Sequence, residues 1–216
     1  MYILEKHLYF PPVTDADESG LLAVGGDLSA ERLLLAYQNG IFPWYNEEDP
    51  ILWWSPSPRC VLFPEKLKIS KTMQQVINRK IFRFTVNQSF ENVIIQCKTI
   101  KRKEADGTWI NEDIVNAYTK LHQIGYALSA EAWLGDELVG GLYGVKIGNV
   151  FFGESMFSKI SNASKFAFIS VVQYLQKQGV ALIDCQMKTD HLISLGAEMI
   201  EQTHFQEILK KFCREC

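Results

Sequence analysis

Asp184 and Gln186 stand two positions apart in the run Leu182-Ile183-Asp184-Cys185-Gln186. The run reads as a short buried strand. In a strand successive side chains alternate faces, so Asp184 and Gln186 point one way and Cys185 the other. A carboxylate and a carboxamide on an otherwise apolar strand are costly to bury unless partnered. Together they can accept protons or hydrogen bonds at one point in space, which is the chemistry of orienting a nucleophile. The alternative is a buried Asp–Gln pair that satisfies backbone groups. Glu154, in Phe151-Phe152-Gly153-Glu154-Ser155-Met156, is a further carboxylate among apolar neighbours. It suits a cationic partner group, with a structural ion pair or helix cap as the alternative.

What must position these groups is an ordinary globular chain. Its 216 residues allow one sizeable domain, or one with a smaller companion. A net charge of −3 excludes a global basic field, so any RNA contact must be local. No apolar run approaches the roughly 18 residues of a membrane span, and no secretory signal is visible at the start. Five cysteines at irregular spacing fit reduced thiols in a cytoplasmic protein. The terminal Cys213-Arg214-Glu215-Cys216 has no second pair, so no metal is expected there.

The composition shifts near Phe63-Pro64-Glu65. Residues 1–63 are rich in loops, prolines and aromatics and are expected to form a small N-terminal domain; 64–216 read as regular periodic elements. In the first part Ser29 is a fitting N-cap for a helix bearing Leu33, Leu34 and Tyr37 on one side, stopped at Gly40. In the second, a helix from about Ser70 leads to a strand around Phe82–Val86, a helix around Phe90–Cys97 and a helix from Asn111 to Ile124. Three strands follow, near Tyr126–Trp133, Leu138–Val145 and Val150–Gly153, with turn signals between them. A long helix spans about Asn162 to Gln178. The Asp184 strand comes next, then a short helix near His191, a strand near Met199 and a last helix after Thr203. This order is that of an α+β fold.

The stretches LLAVGGDLS, AYQNGIFPW, ILWWSPSPR, GTWI, LVGGLYGV, FFGESMFS, NASK, LIDCQ and HLISLGA occur in order from Phe10 to about Ala197. By these motifs the chain resembles the bacterial leucyl/phenylalanyl-tRNA–protein transferases over nearly its whole length. The resemblance implies a small N-terminal domain on a GNAT-like acyltransferase domain. It implies transfer of leucine or phenylalanine, with methionine as a further candidate, from aminoacyl-tRNA to the N-terminal amine of proteins beginning with Arg or Lys, which marks them for N-degron proteolysis. No cofactor is implied, since the tRNA ester is the activated donor, and no membrane partner; a monomer is expected.

The resemblance also suggests roles. Asp184 and Gln186 are the expected catalytic pair, Gln186 accepting a hydrogen bond from the attacking amine and Asp184 polarising that amide. Glu154 faces the acceptor's cationic side chain. Trp109, Leu142, Phe151, Met156, Phe168, Leu175 and Ile183 are expected to line a pocket for the transferred side chain, and Met suits a pocket that accepts two shapes. Trp44, behind Pro43, is expected to stack on the terminal adenosine, with Tyr37 and Tyr118 lining the same site. Read from the sequence itself, Lys66, Lys68 and Lys71, then Arg79, Lys80 and Arg83, and Lys101-Arg102-Lys103 form basic clusters, either a patch that faces the tRNA phosphates or only a solvated face. Three positions depart from the family's habit: Leu128 stands for a histidine, Thr189 for an asparagine, and Glu201-Gln202 where an arginine is usual. An acetyl-CoA enzyme of the same fold is the rival reading. Its pyrophosphate loop needs glycines that Ser158-Lys159-Ile160-Ser161-Asn162-Ala163 lacks. A non-catalytic RNA- or degron-binding module is the other.

Overall fold

The computed structural model describes residues 1–100 and 109–213. Two sheets organise them. The smaller is built from β1 (Tyr2–Leu4), β2 (Leu21–Gly25), β3 (Phe42–Pro43) and β4 (Leu52–Trp54) in the order β1-β2-β4-β3. Helix α1 (Ala30–Gln38) lies between β2 and β3, and the Ser29 side chain accepts from the Arg32 N–H at its start, as the sequence predicts. Arg32 is itself buried, and its guanidinium donates to the Glu5 and His7 carbonyls at 2.8 and 3.2 Å, which ties the N-terminal segment to α1. Trp53 is core, its indole N–H donating to the Gly25 carbonyl at 2.9 Å.

The larger sheet takes β5 (Arg59–Leu62), β6 (Arg83–Val86), β7 (Ala127–Leu134), β8 (Glu137–Ile147), β9 (Val150–Ser158), β10 (Leu182–Gln186) and β11 (Glu198–Ile200). Their order is β11-β5-β10-β9-β8-β7-β6, antiparallel throughout except for β9 and β10. The helices are α2 (Lys71–Asn78), α3 (Phe90–Thr99), α4 (Glu112–Gln123), α5 (Ala163–Lys177), α6 (Asp190–Ser194) and α7 (Gln202–Phe212). The fold is α+β. Two details differ from expectation. Strand β9 does not end at Gly153 but continues to Ser158, because its second half still finds hydrogen-bond partners on β8. Strand β5 lies before the boundary expected at Phe63–Pro64, yet it pairs with β10 and β11 of the large sheet.

Adjacent residues of β8 show how the sheet is covered. A Cβ at Gly140 would fall 2.6 Å from the Ala163 Cβ of α5, whereas one at Gly141 would meet Phe157 and Val93 of α3. Alternation therefore puts α5 on one face and α3 on the other. The α5 face carries Leu62, Leu142, Phe151, Phe168 and Ile183; the opposite face joins Val61, Val145, Phe152 and Leu182 to the core of the small sheet. Burial on both faces explains why these strands read as near-continuous apolar runs.

Candidate active site

The two strands that carry the candidate groups are both irregular where they carry them. On β9, Gly153 pairs with Gly144 and Ser155 with Tyr143, which leaves Glu154 as an extra, unpaired residue. On β10, Asp184 pairs with Val61 and Gln186 with Cys60, so Cys185 is the extra residue there. Gln186 also has φ of 60°, outside the strand region. Bulges re-aim side chains, and here they turn Glu154 and Gln186 toward each other. The parallel ladder between β9 and β10 ends at Phe152 and Asp184. Beyond it lies a cavity of about 250 Å³ whose wall includes Glu154, Ser155 and Met156 from β9 and Ile183, Asp184, Cys185 and Gln186 from β10.

Hydrogen bonds define the polar end of this cavity. Gln186 Nε2 donates to Glu154 Oε1 at 2.9 Å. Tyr37 Oη donates to the same oxygen at 2.8 Å, Tyr118 Oη lies 3.0 Å from Oε2, and the two phenols bond to each other. Burial outweighs these contacts and lifts the Glu154 carboxyl from 4.5 to about 7, with the Asp184 charge adding to the rise. Asp184 has no exposed surface. Arg59 Nε and Nη2 donate to its two oxygens at 2.9 and 2.7 Å, and Asp184 Oδ1 also accepts from the Gln186 main-chain N–H at 2.9 Å. The Arg59 guanidinium is packed between the rings of Phe42 and Phe205, 4.7 and 5.0 Å from their centroids.

This corrects one expectation. Asp184 and Gln186 do not share a point through their side chains, because the positive φ at Gln186 breaks the strand alternation. Asp184 holds the Gln186 backbone, and Glu154 holds its amide. Other candidates fall as follows. Leu142, Phe151, Met156, Phe168 and Ile183 line the cavity. Leu175 is core behind it, and Trp109 packs on the other core cluster. Tyr37 and Tyr118 are fully buried and do not line the cavity themselves; both bond to Glu154, which does. Trp44 is 45% exposed and packs edge-on against Trp54, and it is not among the residues that line the cavity. Lys68, Lys71, Arg79, Lys80 and Arg83 are exposed, while Lys66 is paired with Glu198 at 2.5 Å. Lys101-Arg102-Lys103 lie outside the described residues.

Comparison with known proteins decides the family. The family model for leucyl/phenylalanyl-tRNA protein transferase matches residues 61–210, and that for the N-terminal domain of the same proteins matches 26–57. The leucyl/phenylalanyl-tRNA–protein transferase of Flavobacterium johnsoniae is 55% identical over 97% of this chain and 99% of its own. That of Christiangramia forsetii is 58% identical over 97% of this chain and all of its own, 100%. The chain belongs to the leucyl/phenylalanyl-tRNA–protein transferase family. Membership makes it an aminoacyltransferase. Among solved structures, L-PGS from Bacillus licheniformis aligns over 87% of this chain and 64% of that chain at 14% identity, with a TM-score of 0.43.

The positions expected to depart from the family's pattern have local surroundings of their own. Thr189 caps α6, its hydroxyl accepting from the Leu192 N–H at 3.2 Å, as an asparagine there would. Gln202 Nε2 donates to the Val13 carbonyl at 3.2 Å and fastens α7 to the N-terminal segment. Leu128 is buried among apolar neighbours. The first turn of α5 is closed by Ser158, whose hydroxyl accepts from the Ser164 N–H at 3.2 Å, so that amide is not free for a pyrophosphate. Among the described residues no group of His, Cys, Asp and Glu could hold a metal ion, and no helix is long and apolar enough to cross a membrane. Sequence reading missed Arg59. Its signal was present: a cation opening the apolar run Cys60-Val61-Leu62 needs an anion on a neighbouring strand, and Asp184 is one.

Proposed function

We propose that the cavity takes the leucyl or phenylalanyl side chain of an aminoacyl-tRNA, and that Gln186 receives the attacking N-terminal amine of a protein beginning with Arg or Lys. One observation carries this reading. The Gln186 amide donates its N–H to Glu154, which leaves its carbonyl oxygen as an acceptor beside an apolar cavity. At about 250 Å³ the cavity falls below the roughly 300–1,000 Å³ of pockets for larger molecules. It admits one apolar side chain.

The amine nitrogen attacks the ester carbonyl, the carbon–nitrogen bond forms, the bond to the tRNA ribose oxygen breaks, and the amine proton ends on that oxygen. A free α-amino group titrates at about 7.7–8.0, so a fraction is already neutral at pH 7. Holding it against the ester supplies much of the acceleration, since orientation is worth roughly 7–11 kcal/mol. Of the two carboxyls on the cavity wall, Asp184 is matched by Arg59, and Glu154 by no cation among the described residues. The preference for Arg or Lys is assigned to Glu154 on that basis, and the product is a protein marked for N-degron proteolysis. Trp44 and the exposed basic residues are assigned to the tRNA.

The test uses purified protein, radiolabelled Leu-tRNA or Phe-tRNA and peptides beginning with Arg, Lys or Ala, with acetyl-CoA as a second donor. Label on the Arg and Lys peptides from the tRNA donors alone is expected. Tight tRNA binding without transfer would favour the binding-module reading instead. Glu154→Gln should erase the discrimination between the Arg and Ala peptides; retained discrimination would remove Glu154 from that role. Raising salt from about 50 to 200 mM should weaken tRNA binding. Lys71→Ala and Arg79→Ala should each reduce the salt slope by about one, and an unchanged slope would place the tRNA elsewhere.

A further inference from the structure

Glu154, Tyr37 and Tyr118 meet as a triangle of oxygens: Tyr37 Oη to Glu154 Oε1, Tyr118 Oη to Glu154 Oε2, and one phenol to the other. Three hydrogen bonds need three protons. The phenols supply two, and burial, followed by the nearby Glu154 carboxyl, keeps both phenols protonated well above the ordinary tyrosine range. With an ionised carboxyl both phenol protons would point at it, and the two phenol oxygens would face each other with no proton between them. A proton on Oε2 closes the ring. Glu154 then donates to Tyr118, Tyr118 to Tyr37, and Tyr37 to Glu154 Oε1. Gln186 selects this direction, because its Nε2 also donates to Oε1 and makes that oxygen the double acceptor.

We propose that the resting site holds Glu154 as a neutral acid in a closed ring of three hydrogen bonds, with Tyr37 and Tyr118 as positioning residues. The groups facing it agree. Tyr37 comes from α1, Tyr118 from α4 with Tyr143 of β8 behind it, and Gln186 and Asp184 from β10, where the Asp184 charge is already matched by Arg59 of β5. Among the described residues the polar end of the cavity thus carries no net charge at rest. This matters for aminolysis, since a bare carboxylate beside the nucleophile would hold it as unreactive ammonium. On the proposed reading of the reaction, the acceptor's cationic side chain replaces the stored proton, and the site stays neutral in the complex.

The test does not depend on transfer, so its failure is separable from failure of that reading. In Glu154→Gln the amide N–H can donate to Tyr118 in place of the acid hydroxyl. A carboxyl that titrates higher in the folded than in the unfolded chain adds stability at low pH that is lost as pH rises from about 4.5 through about 7. Melting curves from about pH 5 to pH 8 should therefore show wild type losing several degrees relative to Glu154→Gln as pH rises. A constant difference, or a gain by wild type, would overturn the proposal. Infrared spectra of wild type carrying carboxyl-labelled glutamate give a second readout that needs no variant. A protonated-carboxyl band at about pH 6 that responds to the label and fades above pH 7 is expected; absence of that band would also overturn it.

Discussion

Replacing Arg59 by methionine is expected to cost about 3–5 kcal/mol of folding stability and to abolish transfer. Arg59 is 1% exposed and Asp184 0%, so the change strands a buried carboxylate rather than deleting a surface ion pair. Both Asp184 oxygens lose an N–H donor, and the packing of the guanidinium between Phe42 and Phe205 goes with them. For a chain of this size each kcal/mol corresponds to about 2–4 °C in melting temperature. Arg59→Lys should fall between the two, because one ammonium cannot reproduce the two parallel bonds of the guanidinium. The double variant Arg59→Met/Asp184→Leu separates stability from function. It removes both charges, so much of the stability should return. Transfer should not, since no carboxylate remains to hold the Gln186 N–H. Recovery of activity in the double variant would show that Asp184 serves the fold alone.

Gln186→Asn is expected to lower turnover by about 100-fold or more while leaving the melting temperature nearly unchanged. The choice of asparagine matters. Gln186 sits at φ of 60°, where asparagine is tolerated and alanine is strained. Shortening the side chain by one methylene withdraws the amide from Glu154 without disturbing the backbone. Gln186→Ala should lose both activity and some stability, so the pair of variants divides the chemical contribution from the conformational one. Turnover of Gln186→Asn close to wild type would move the amine-binding role to another group on the cavity wall.

Local signals account for most of the elements. Ser29, Ser70 and Asn111 each cap the helix that the sequence assigns to them, because N-capping needs only a side-chain oxygen next to the first orphan amides. The strand Leu182–Gln186 was legible as an apolar run of the right length. The end of β9 was not. Ser155, Met156 and Phe157 carry no turn signal or clean alternation, and only the facing length of β8 decides that they pair.

The same division holds at the site. Residue types and their order by themselves determined the family and the α+β class, and they singled out two carboxyls, an amide and five apolar side chains that the structure places on one cavity wall. They could not determine which of these groups touch. Alternation along β10 predicts that Asp184 and Gln186 meet, and a bulge opposite Cys60 prevents it. Whether a strand bulges depends on the register of its neighbours, which is a property of the assembled sheet rather than of any local segment. Tyr37, Tyr118 and Glu154 come from α1, α4 and β9, and Arg59 and Asp184 stand 125 positions apart. Tertiary packing alone placed a cation against one carboxyl and two phenols against the other. It thereby decided that Asp184 is matched by Arg59, and that Glu154, buried with no cation beside it among the described residues, has its carboxyl pushed up to about 7.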